Sequence, residues 1–434
     1  MTVRYSVPRG TSDILPGQIA IWQEIDKQAR AILSRFNYRE IRTPIFEETG
    51  LFKRSLGQTS DIVNKQLLEL ASNKEEGYSL RPEGTAPIVR AYLENSLDKQ
   101  ESLSKLFYIG PMFRGERPQK GRLRQFNQIG VEVIGLNADS LYIDCEVIIL
   151  SMSLLKAFGV QGSKLLINTL GSENDKVKLA GYLRDKLKGR APELCEDCQN
   201  RFERNVFRIL DCKERSCINI VAGINFDNSY LSEESRIRFE SIKDILQKNK
   251  IEFIEAPRLV RGLDYYTETV FEITNPNLGS QDAVGAGGRY NNLPEVIGGE
   301  SKKDIRGIGF SLGIERIILA IDEELKKVEE KLDIFLAVLG KGEIVEQGFA
   351  ILNSLRRAGF SADMGYQESS LKSQMRFANK CNARLVVMIG EDEVRKKAVL
   401  LKDMVKSEQE EILFSEDNLD VLINKARERL KVLC

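Results

Sequence analysis

The segment between Phe113 and Phe126 concentrates positive charge. Five cations stand against a single acid, Glu116, between two strand-like runs; they are Arg114, Arg117, Lys120, Arg122 and Arg124. Guanidinium groups stay protonated in proteins and bind phosphate oxygens in pairs. The segment therefore predicts a cation-rich hairpin. It is either a solvated loop or a clamp for polyphosphate and RNA backbone, and charge alone does not decide between them.

Four shorter segments hold further polar residues or glycines: RPEGT, LVRGLDYYTETVF, AVGAGGRY and GIGFSLGIERI. The first places Glu83 and Thr85 just past a strand, and the second sets Arg261 beside two tyrosines. The third is predicted to form a turn that approaches a ligand closely. The fourth places Arg316 after glycines that let a strand and a helix pack together. Glycine spacing is weak evidence by itself, so each segment taken singly is more often structural.

Composition limits the chemistry and the kind of protein. Histidine is absent from all 434 residues, which removes the commonest general base and the commonest metal ligand. Catalysis then has to rely on arginine, carboxylates and a metal or phosphate group. The 64 basic and 64 acidic residues balance, so any nucleic-acid binding must come from local patches. With no long apolar run and no secretory signal, we expect a cytoplasmic protein without a membrane segment.

Hydrophobic periodicity indicates the elements that position these residues. Apolar residues at helical spacing from Trp22 to Phe36, after a start signal at Pro16, predict a long amphipathic helix. It leads into YREIRTPIF, which predicts a strand ending at Pro44. Further strands are predicted at GYSLRP, KLFYIGPMFR and QIGVEVIG, with a helix after Pro87. Because these strands follow one another without regular crossover helices, we expect an antiparallel α+β sheet.

Changes of composition along the chain predict a domain order. Residues 1–171 and 251–325 would form the two parts of one domain, interrupted by a charged, helical insertion over 172–250. After the charged stretch DEELKKVEEKLD, strand-like DIFLAVLG, FSADMGY and RLVVMIG alternate with helical spacing. This alternation predicts a separate α/β domain over 331–434.

Taken together and in this order, the segments resemble the class II aminoacyl-tRNA synthetases, and among them the histidyl-tRNA synthetase family. The likeness covers nearly the whole chain. Motif 1 is similar to the long helix and the strand after it, motif 2 resembles YIGPMFRGERPQKGRLRQFNQIGVE, and motif 3 resembles GIGFSLGIERI. The two segments peculiar to the histidine enzymes match LVRGLDYYTETVF and AVGAGGRYNNL. The implied fold is α+β, an antiparallel-sheet catalytic domain with a helical insertion and a C-terminal α/β anticodon-binding domain.

The resemblance also implies an activity and a set of site residues. The expected reaction is the ATP-dependent ligation of histidine to its tRNA, with ATP bound as its Mg²⁺ complex. Arg114 and Arg261 would be the catalytic residues, on opposite sides of the α-phosphate. The implied ATP-binding residues are Arg114, Arg122 and Arg316. The implied histidine-binding residues are Glu83, Thr85, Gln128, Glu132, Arg261, Tyr265 and Tyr266. Imidazole offers a donor and an acceptor, which a carboxylate and phenols can pair.

By the same resemblance the partners are histidine tRNA and a second copy of the chain, since motif 1 forms the dimer interface in the family. The acceptor end of the tRNA would meet Arg117, Gln119 and Lys120. In the C-terminal domain the candidates for RNA contact are Arg356, Arg357, Lys372 and Arg376, although solvated helix faces explain them equally well. Two positions depart from the family, which often has histidine where this sequence has Gly115 and Asn127.

Four cysteines form the pattern C-x2-C-x13-C-x4-C; they are Cys195, Cys198, Cys212 and Cys217. The spacing is close to that of structural zinc sites. Related synthetases are not generally zinc-dependent through this region, so the favoured interpretation is that these are free thiols and that no zinc is bound.

Two alternative functions are weighed against the ligase. The regulatory subunit of ATP phosphoribosyltransferase shares the catalytic fold without being an enzyme, but it typically lacks ATP-binding arginines and the anticodon domain. Here Arg114, Arg316 and the last hundred or so residues are present. A synthetase for proline, threonine or glycine has a similar C-terminal domain, but the RGLDYY and GAGGRY segments argue against it.

Overall fold

The computed structural model divides the chain into two compact units, residues 1–327 and 328–434. It describes residues 5–57, 60–71, 77–226, 228–279, 281–324, 331–413 and 419–431. None of the helices in these ranges has the length and apolar character needed to cross a membrane.

A large, mostly antiparallel sheet dominates the first unit. The strands of this unit are β1 (Arg39–Glu40), β2 (Phe46–Glu48), β3 (Leu68–Leu70), β4 (Tyr78–Leu80), β5 (Ser104–Phe113), β6 (Gln125–Gly135), β7 (Lys164–Thr169), β8 (Ile254–Glu255), β9 (Thr267–Thr274), β10 (Ala283–Arg289) and β11 (Arg306–Gly313). Eight of them lie in the order β1-β5-β6-β11-β10-β9-β7-β8, and β2, β4 and β3 form a small separate sheet. Only the edge pairs β1–β5 and β7–β8 of the large sheet are parallel. The predicted antiparallel α+β architecture is confirmed.

The helices described in the first unit pack on the large sheet or against one another. They are α1 (Pro16–Arg35), α2 (Thr49–Ser55), α3 (Thr85–Glu94), α4 (Leu141–Ala157), α5 (Glu173–Leu187), α6 (Glu196–Arg204), α7 (Arg215–Ala222), α8 (Glu233–Lys248), α9 (Leu293–Gly298) and α10 (Ile314–Ala320). The predicted first helix is confirmed as α1. The helix expected after Pro87 begins two residues earlier, at Thr85, because the first turn of a helix does not need the N–H that proline lacks.

The alternation of side chains along the central strands separates the core from the site. Val131 and Val133 of β6 point into the core shared with α1, α4 and α8. Their neighbours Gln128 and Glu132 therefore lie on the opposite face, since successive strand residues point to opposite sides. On β11, Ile308, Phe310 and Leu312 pack into the same core, which leaves its glycines on the face of Glu132.

Two local predictions are wrong. YREIRTPIF does not form one strand to Pro44, because pairing stops after Glu40 and resumes only at Phe46. Pro44 has no N–H group to donate to a neighbouring strand. The carbonyl oxygens of Thr43 and Pro44 accept hydrogen bonds from the Arg81 guanidinium and not from a neighbouring strand. AVGAGGRY does not form a turn but strand β10, paired on both sides with β9 and β11.

The charged stretch predicted as an insertion folds in two parts. Helices α5, α6 and α7 enclose a small core of their own, which extends to Tyr230 and Leu231. Helix α8 instead contributes Phe239, Ile242 and Leu246 to the core of the large sheet. We therefore propose that the inserted module spans about 173–231 and that α8 belongs to the catalytic domain.

The second unit is an α/β layer structure. Its strands are β12 (Ile334–Leu339), β13 (Ala362–Met364), β14 (Leu385–Gly390), β15 (Ala398–Asp403) and β16 (Gln409–Leu413). Its helices are α11 (Glu343–Arg357), α12 (Leu371–Lys380), α13 (Glu391–Lys396) and α14 (Asp420–Leu430). The sheet order is β13-β12-β14-β15-β16, in which the first three strands are parallel and the last two antiparallel. The α/β architecture predicted for the C-terminal part of the chain is confirmed.

Candidate active site

A cavity of about 460 Å³ opens on the glycine-bearing face of the large sheet. Its walls bring together residues that are far apart in the chain, from Asp61 to Arg316. Of the residues predicted to bind ATP or histidine, those that line it are Glu83, Thr85, Arg114, Arg122, Gln128, Arg261, Tyr265, Tyr266 and Arg316. The remaining one, Glu132, lies buried directly behind Thr85.

Glu132 is held by two hydroxyl donors. The Thr85 hydroxyl donates to its Oε1 at 2.6 Å, and the Tyr290 hydroxyl donates to its Oε2 at 2.5 Å. Burial disfavours the ionised form strongly enough to raise the pKa of Glu132 to about 8, although both hydrogen bonds act in the other direction. A carboxyl group with this pKa can donate to or accept from an imidazole ring near neutral pH.

Glycines make the room that these side chains occupy. Gly309 is paired with Glu132 across β6 and β11, and a Cβ atom at that glycine would overlap the carboxylate. A Cβ at Gly307 would overlap the Tyr290 ring in the same way. The glycines of GIGFSLGIERI therefore serve the close approach of Glu132 and Tyr290 to the sheet, as well as the packing of β11 against α10.

Glu83 sits at the start of α3 with its carboxylate turned back on the helix. It accepts hydrogen bonds from the N–H groups of Thr85 at 2.7 Å and Ala86 at 2.9 Å. The Tyr265 hydroxyl lies 3.5 Å from its Oε2. Burial raises the pKa of Glu83, while these N–H donors favour its charge. The result is a fixed carboxylate at the cavity wall, suited to an ammonium group.

Arginines form another part of the cavity wall. Arg114 donates from Nε to the Pro82 carbonyl at 2.9 Å and stacks over Phe126. Arg316 donates from Nε to the Gly121 carbonyl at 2.9 Å and from Nη1 to Gln281 and Ala283. Burial lowers the pKa of both guanidinium groups, and Arg122 lowers that of Arg316 further. Arginine nevertheless keeps its proton, so these guanidinium groups make the cavity a strong anion site.

Arg261 joins these cations from the segment before β9. It forms an ion pair with Glu272, and its buried Nε has no hydrogen-bond partner among the described residues. Arg261 lines the same cavity as Arg114 and Arg316, so its guanidinium adds a third positive charge to the cavity wall.

Comparison with known proteins agrees with this arrangement. The family profile described as "Histidyl-tRNA synthetase" matches residues 10–317, and the profile "Anticodon binding domain" matches residues 333–419. The chain belongs to the histidyl-tRNA synthetase family. It is 43% identical over 425 residues to the histidine–tRNA ligase of Pelotomaculum thermopropionicum, with 98% of this chain and 97% of the relative covered. The identity to that of Desulforamulus reducens is also 43%, with 97% and 99% covered.

Solved structures show the same fold. Apo histidyl-tRNA synthetase from S. aureus superposes with a TM-score of 0.79 at 35% identity, covering 98% of this chain and all of the other. A Bacillus halodurans C protein described as an ATP phosphoribosyltransferase regulatory subunit/histidyl-tRNA synthetase shares the fold with a TM-score of 0.63 at 21% identity. The match covers 90% of this chain and 99% of the Bacillus halodurans C chain.

The residues predicted to contact tRNA lie outside the cavity. In this family member Arg117, Gln119 and Lys120 are at the exposed tip of the β5–β6 hairpin. The backbone groups of Gln119 and Arg122 pair at 3.0 and 2.9 Å and close the tip. In the second unit the four candidate cations are also exposed, on α11 and α12; they are Arg356, Arg357, Lys372 and Arg376. Their contact with RNA stays a prediction.

Gly115 and Asn127, the two positions expected to depart from the family pattern, both have a local partner. The Gly115 N–H donates to the Gln66 carbonyl at 2.6 Å, and a Cβ atom there would come within 3.1 Å of Leu68. The Asn127 side chain and N–H both donate to Glu315, at 3.1 and 2.9 Å. Gly115 thus permits a close backbone contact, and Asn127 ties β6 to the helix that carries Arg316.

Two site residues were missed at the sequence level. Tyr290 is the second donor to Glu132, and Tyr108 places its hydroxyl 3.4 Å from Gln128. Tyr108 is paired with Gly130 across β5 and β6, and a Cβ at Gly130 would overlap its ring. An aromatic residue opposite a strand glycine was the available signal. Tyr290 directly follows the glycine-rich strand β10 and is the last residue of the AVGAGGRY segment.

Proposed function

We propose that this protein activates L-histidine with ATP and transfers it to the 3′ end of histidine tRNA. Membership of the histidyl-tRNA synthetase family supports the reaction class. The single observation that carries the proposal is the shared cavity, whose walls combine Arg114, Arg261 and Arg316 with Glu83 and with Thr85, the donor to Glu132.

In the first step the histidine carboxylate attacks the α-phosphorus of ATP, and pyrophosphate leaves as histidyl-adenylate forms. No group on the protein has to remove a proton, so a chain without histidine is competent for this step. We propose that Arg114 and Arg261 neutralise the α-phosphate in the transition state and that Arg316 and Arg122 hold the outer phosphates. In the second step a hydroxyl at the tRNA 3′ end takes the acyl group and AMP is released.

Mg²⁺ bound with ATP supplies further neutralisation of the phosphate charge. Carboxylates of Glu116, Glu272 and Glu315 line the same cavity, and carboxylate oxygens are ligands that Mg²⁺ accepts. Their presence beside the arginines fits a nucleotide that arrives as its metal complex.

The amino-acid end of the cavity suits histidine. Glu83 would pair with the α-ammonium group, with Thr85 and Gln128 beside it. Glu132 and the tyrosine pair at 265 and 266 would pair with the ring nitrogens. A site with buried polar groups rejects side chains that leave those groups unpaired, which favours histidine over apolar amino acids of similar size.

ATP–pyrophosphate exchange measured with each of the twenty amino acids tests the proposal. Exchange with histidine alone is expected, and Arg261→Gln should reduce it by at least about a hundredfold, because a charge acting in the transition state is lost. Arg258→Gln is the matched control, since that side chain contacts Ala222 and Phe226. No exchange with any amino acid would favour a regulatory paralogue, and exchange with another amino acid would favour a different synthetase.

We also propose that the protein acts as a homodimer in the cytoplasm. Large apolar side chains are exposed at the end of the motif 1 segment, including Ile45 and Phe46, and also at Leu136 and Tyr142. Ile45 and Phe46 are adjacent in the chain, and a dimer formed through the motif 1 segment would cover them. Light scattering after gel filtration should give twice the chain mass, and Phe46→Lys should shift the protein towards monomer. A monomeric wild-type protein would contradict the dimer.

A further inference from the structure

Four cysteine sulfurs meet inside the helical insertion. All four Sγ atoms lie within 4.8 Å of one another, and those of Cys195 and Cys212 are 3.8 Å apart; the other two belong to Cys198 and Cys217. Thiolates at the corners of a tetrahedron around Zn²⁺, with Zn–S bonds of about 2.3 Å, lie roughly 3.8 Å from one another. The cluster therefore has nearly the dimensions of a zinc site.

The backbone around the sulfurs favours thiolates. Cys195 precedes α6, Cys198 lies in the first turn of that helix, and Cys217 lies in the first turn of α7. Helix starts carry partial positive charge, which stabilises a thiolate. In addition, the Cys195 N–H lies 3.2 Å from the Cys217 sulfur, and the Glu214 N–H lies 3.4 Å from the Cys212 sulfur. Such donors orient and stabilise the ligands of a metal.

We propose that this cluster binds one structural Zn²⁺ ion. Four sulfur ligands complete a tetrahedral coordination sphere, so the ion has no open position and organises the fold instead of reacting. Sulfur ligands in this geometry select zinc over harder divalent cations. On binding, the thiol protons are released as the thiolates coordinate. This proposal departs from the interpretation as free thiols that the spacing alone had favoured, because the sulfurs converge.

The segment between the second and third ligands reaches the active-site cavity. Arg201 and Arg208 of this segment donate to the Asp61 carboxylate at 2.9 and 2.7 Å, and both line the cavity. Asn205 donates to Asp264 at 2.7 Å, and Asp264 directly precedes the tyrosine pair. An ion that joins both ends of this segment fixes its shape, so the zinc acts as a positioning element for the rim of the cavity.

Metal analysis of the full-length protein, freed of any affinity tag, tests the proposal. We expect about one zinc per chain. Cys198→Ser should lose most of it, whereas Cys381→Ser, which changes a cysteine of the other unit, should keep it. A zinc content near zero in the wild type, iron in its place, or a disulfide among the four cysteines found by mass spectrometry under non-reducing conditions would overturn the proposal.

Two measurements on the wild-type chain do not depend on the folding of a variant. Replacement by Co²⁺ should give thiolate-to-cobalt charge-transfer bands together with the strong d–d bands of tetrahedral coordination. Removal of the metal by a chelator should speed amide hydrogen exchange in residues 195–222 and leave residues 343–357 unchanged. Absence of the cobalt bands, or equal exchange with and without the chelator, would contradict a structural zinc. Neither readout depends on the substrate of the enzyme.

Discussion

Replacing Glu132 by glutamine removes a buried titratable group while keeping its size. The carboxyl group is fully buried between β6 and α3 and accepts hydrogen bonds from Thr85 and Tyr290. Burial raises its pKa from 4.5 to about 8 in the folded protein. The folded chain therefore keeps this proton over a pH range in which the unfolded chain has already lost it.

The sign and size of the effect follow from this difference in proton binding. Stability falls with rising pH wherever the folded state binds more protons than the unfolded state. For Glu132 the fall begins near the unfolded pKa and is complete above the folded pKa. A shift of about 3.5 units corresponds to an order of 5 kcal/mol in total, or about 1.4 kcal/mol per pH unit within the window. Glu132→Gln should lack this slope, since the amide does not titrate.

Denaturant unfolding followed by fluorescence measures the difference. The single tryptophan, Trp22, packs against the core of the large sheet, so its signal reports on the unit that contains Glu132. Between about pH 5 and pH 8 the variant should gain stability relative to the wild type at each step upwards. Any loss from the altered hydrogen bond to Tyr290 is constant with pH and leaves the slope unaffected. Parallel stability curves for the two proteins would refute the buried carboxylic acid.

The same variant tests the proposed imidazole contact. Loss of a hydrogen bond to a group that can be charged costs about 1.5–3 kcal/mol, so kcat/KM for histidine in pyrophosphate exchange should fall by at least about tenfold. The KM for ATP should change much less, because the nucleotide end of the cavity is formed by the arginines. An unchanged histidine kcat/KM would place Glu132 outside substrate recognition.

Three further outcomes are expected. Gly309→Ala should lower the free energy of unfolding of the catalytic unit by about 2 kcal/mol or more, because the new methyl group overlaps the Glu132 carboxylate. Unfolding followed by Trp fluorescence measures this, and a decrease below about 0.5 kcal/mol would contradict the close packing. Asp144→Asn should cost about 3 kcal/mol in the same assay, because it breaks the fully buried ion pair with Arg289; neutral stability would show that the pair is dispensable. Lys120→Gln should weaken tRNA charging more than pyrophosphate exchange and reduce the salt dependence of tRNA binding, and equal effects on both reactions would exclude a phosphate contact.

The amino-acid sequence by itself determined the elements and the chemistry they carry. Helical spacing predicted α1, strand-like runs predicted β5 and β6, and charge predicted the cation-rich hairpin between them. These are local properties, since they depend on residues a few positions apart. The prediction of a strand ending at Pro44 was wrong because it considered local residues only. Arg81, which is distant in the chain, donates hydrogen bonds to the backbone there and competes with strand pairing.

Tertiary structure decided what these local patterns could not. A glycine-rich segment can form a turn, or it can form a strand whose glycines leave room for a side chain on the paired strand. The paired residue decides between them, as Gly309 opposite Glu132 shows. The cysteines depend on tertiary structure in the same way. Their spacing does not decide between free thiols and a metal site, whereas the fold brings the four sulfurs together. Site geometry depends on contacts between residues far apart in the chain, and the pKa of Glu132 depends on burial. Only the folded chain determines either of them.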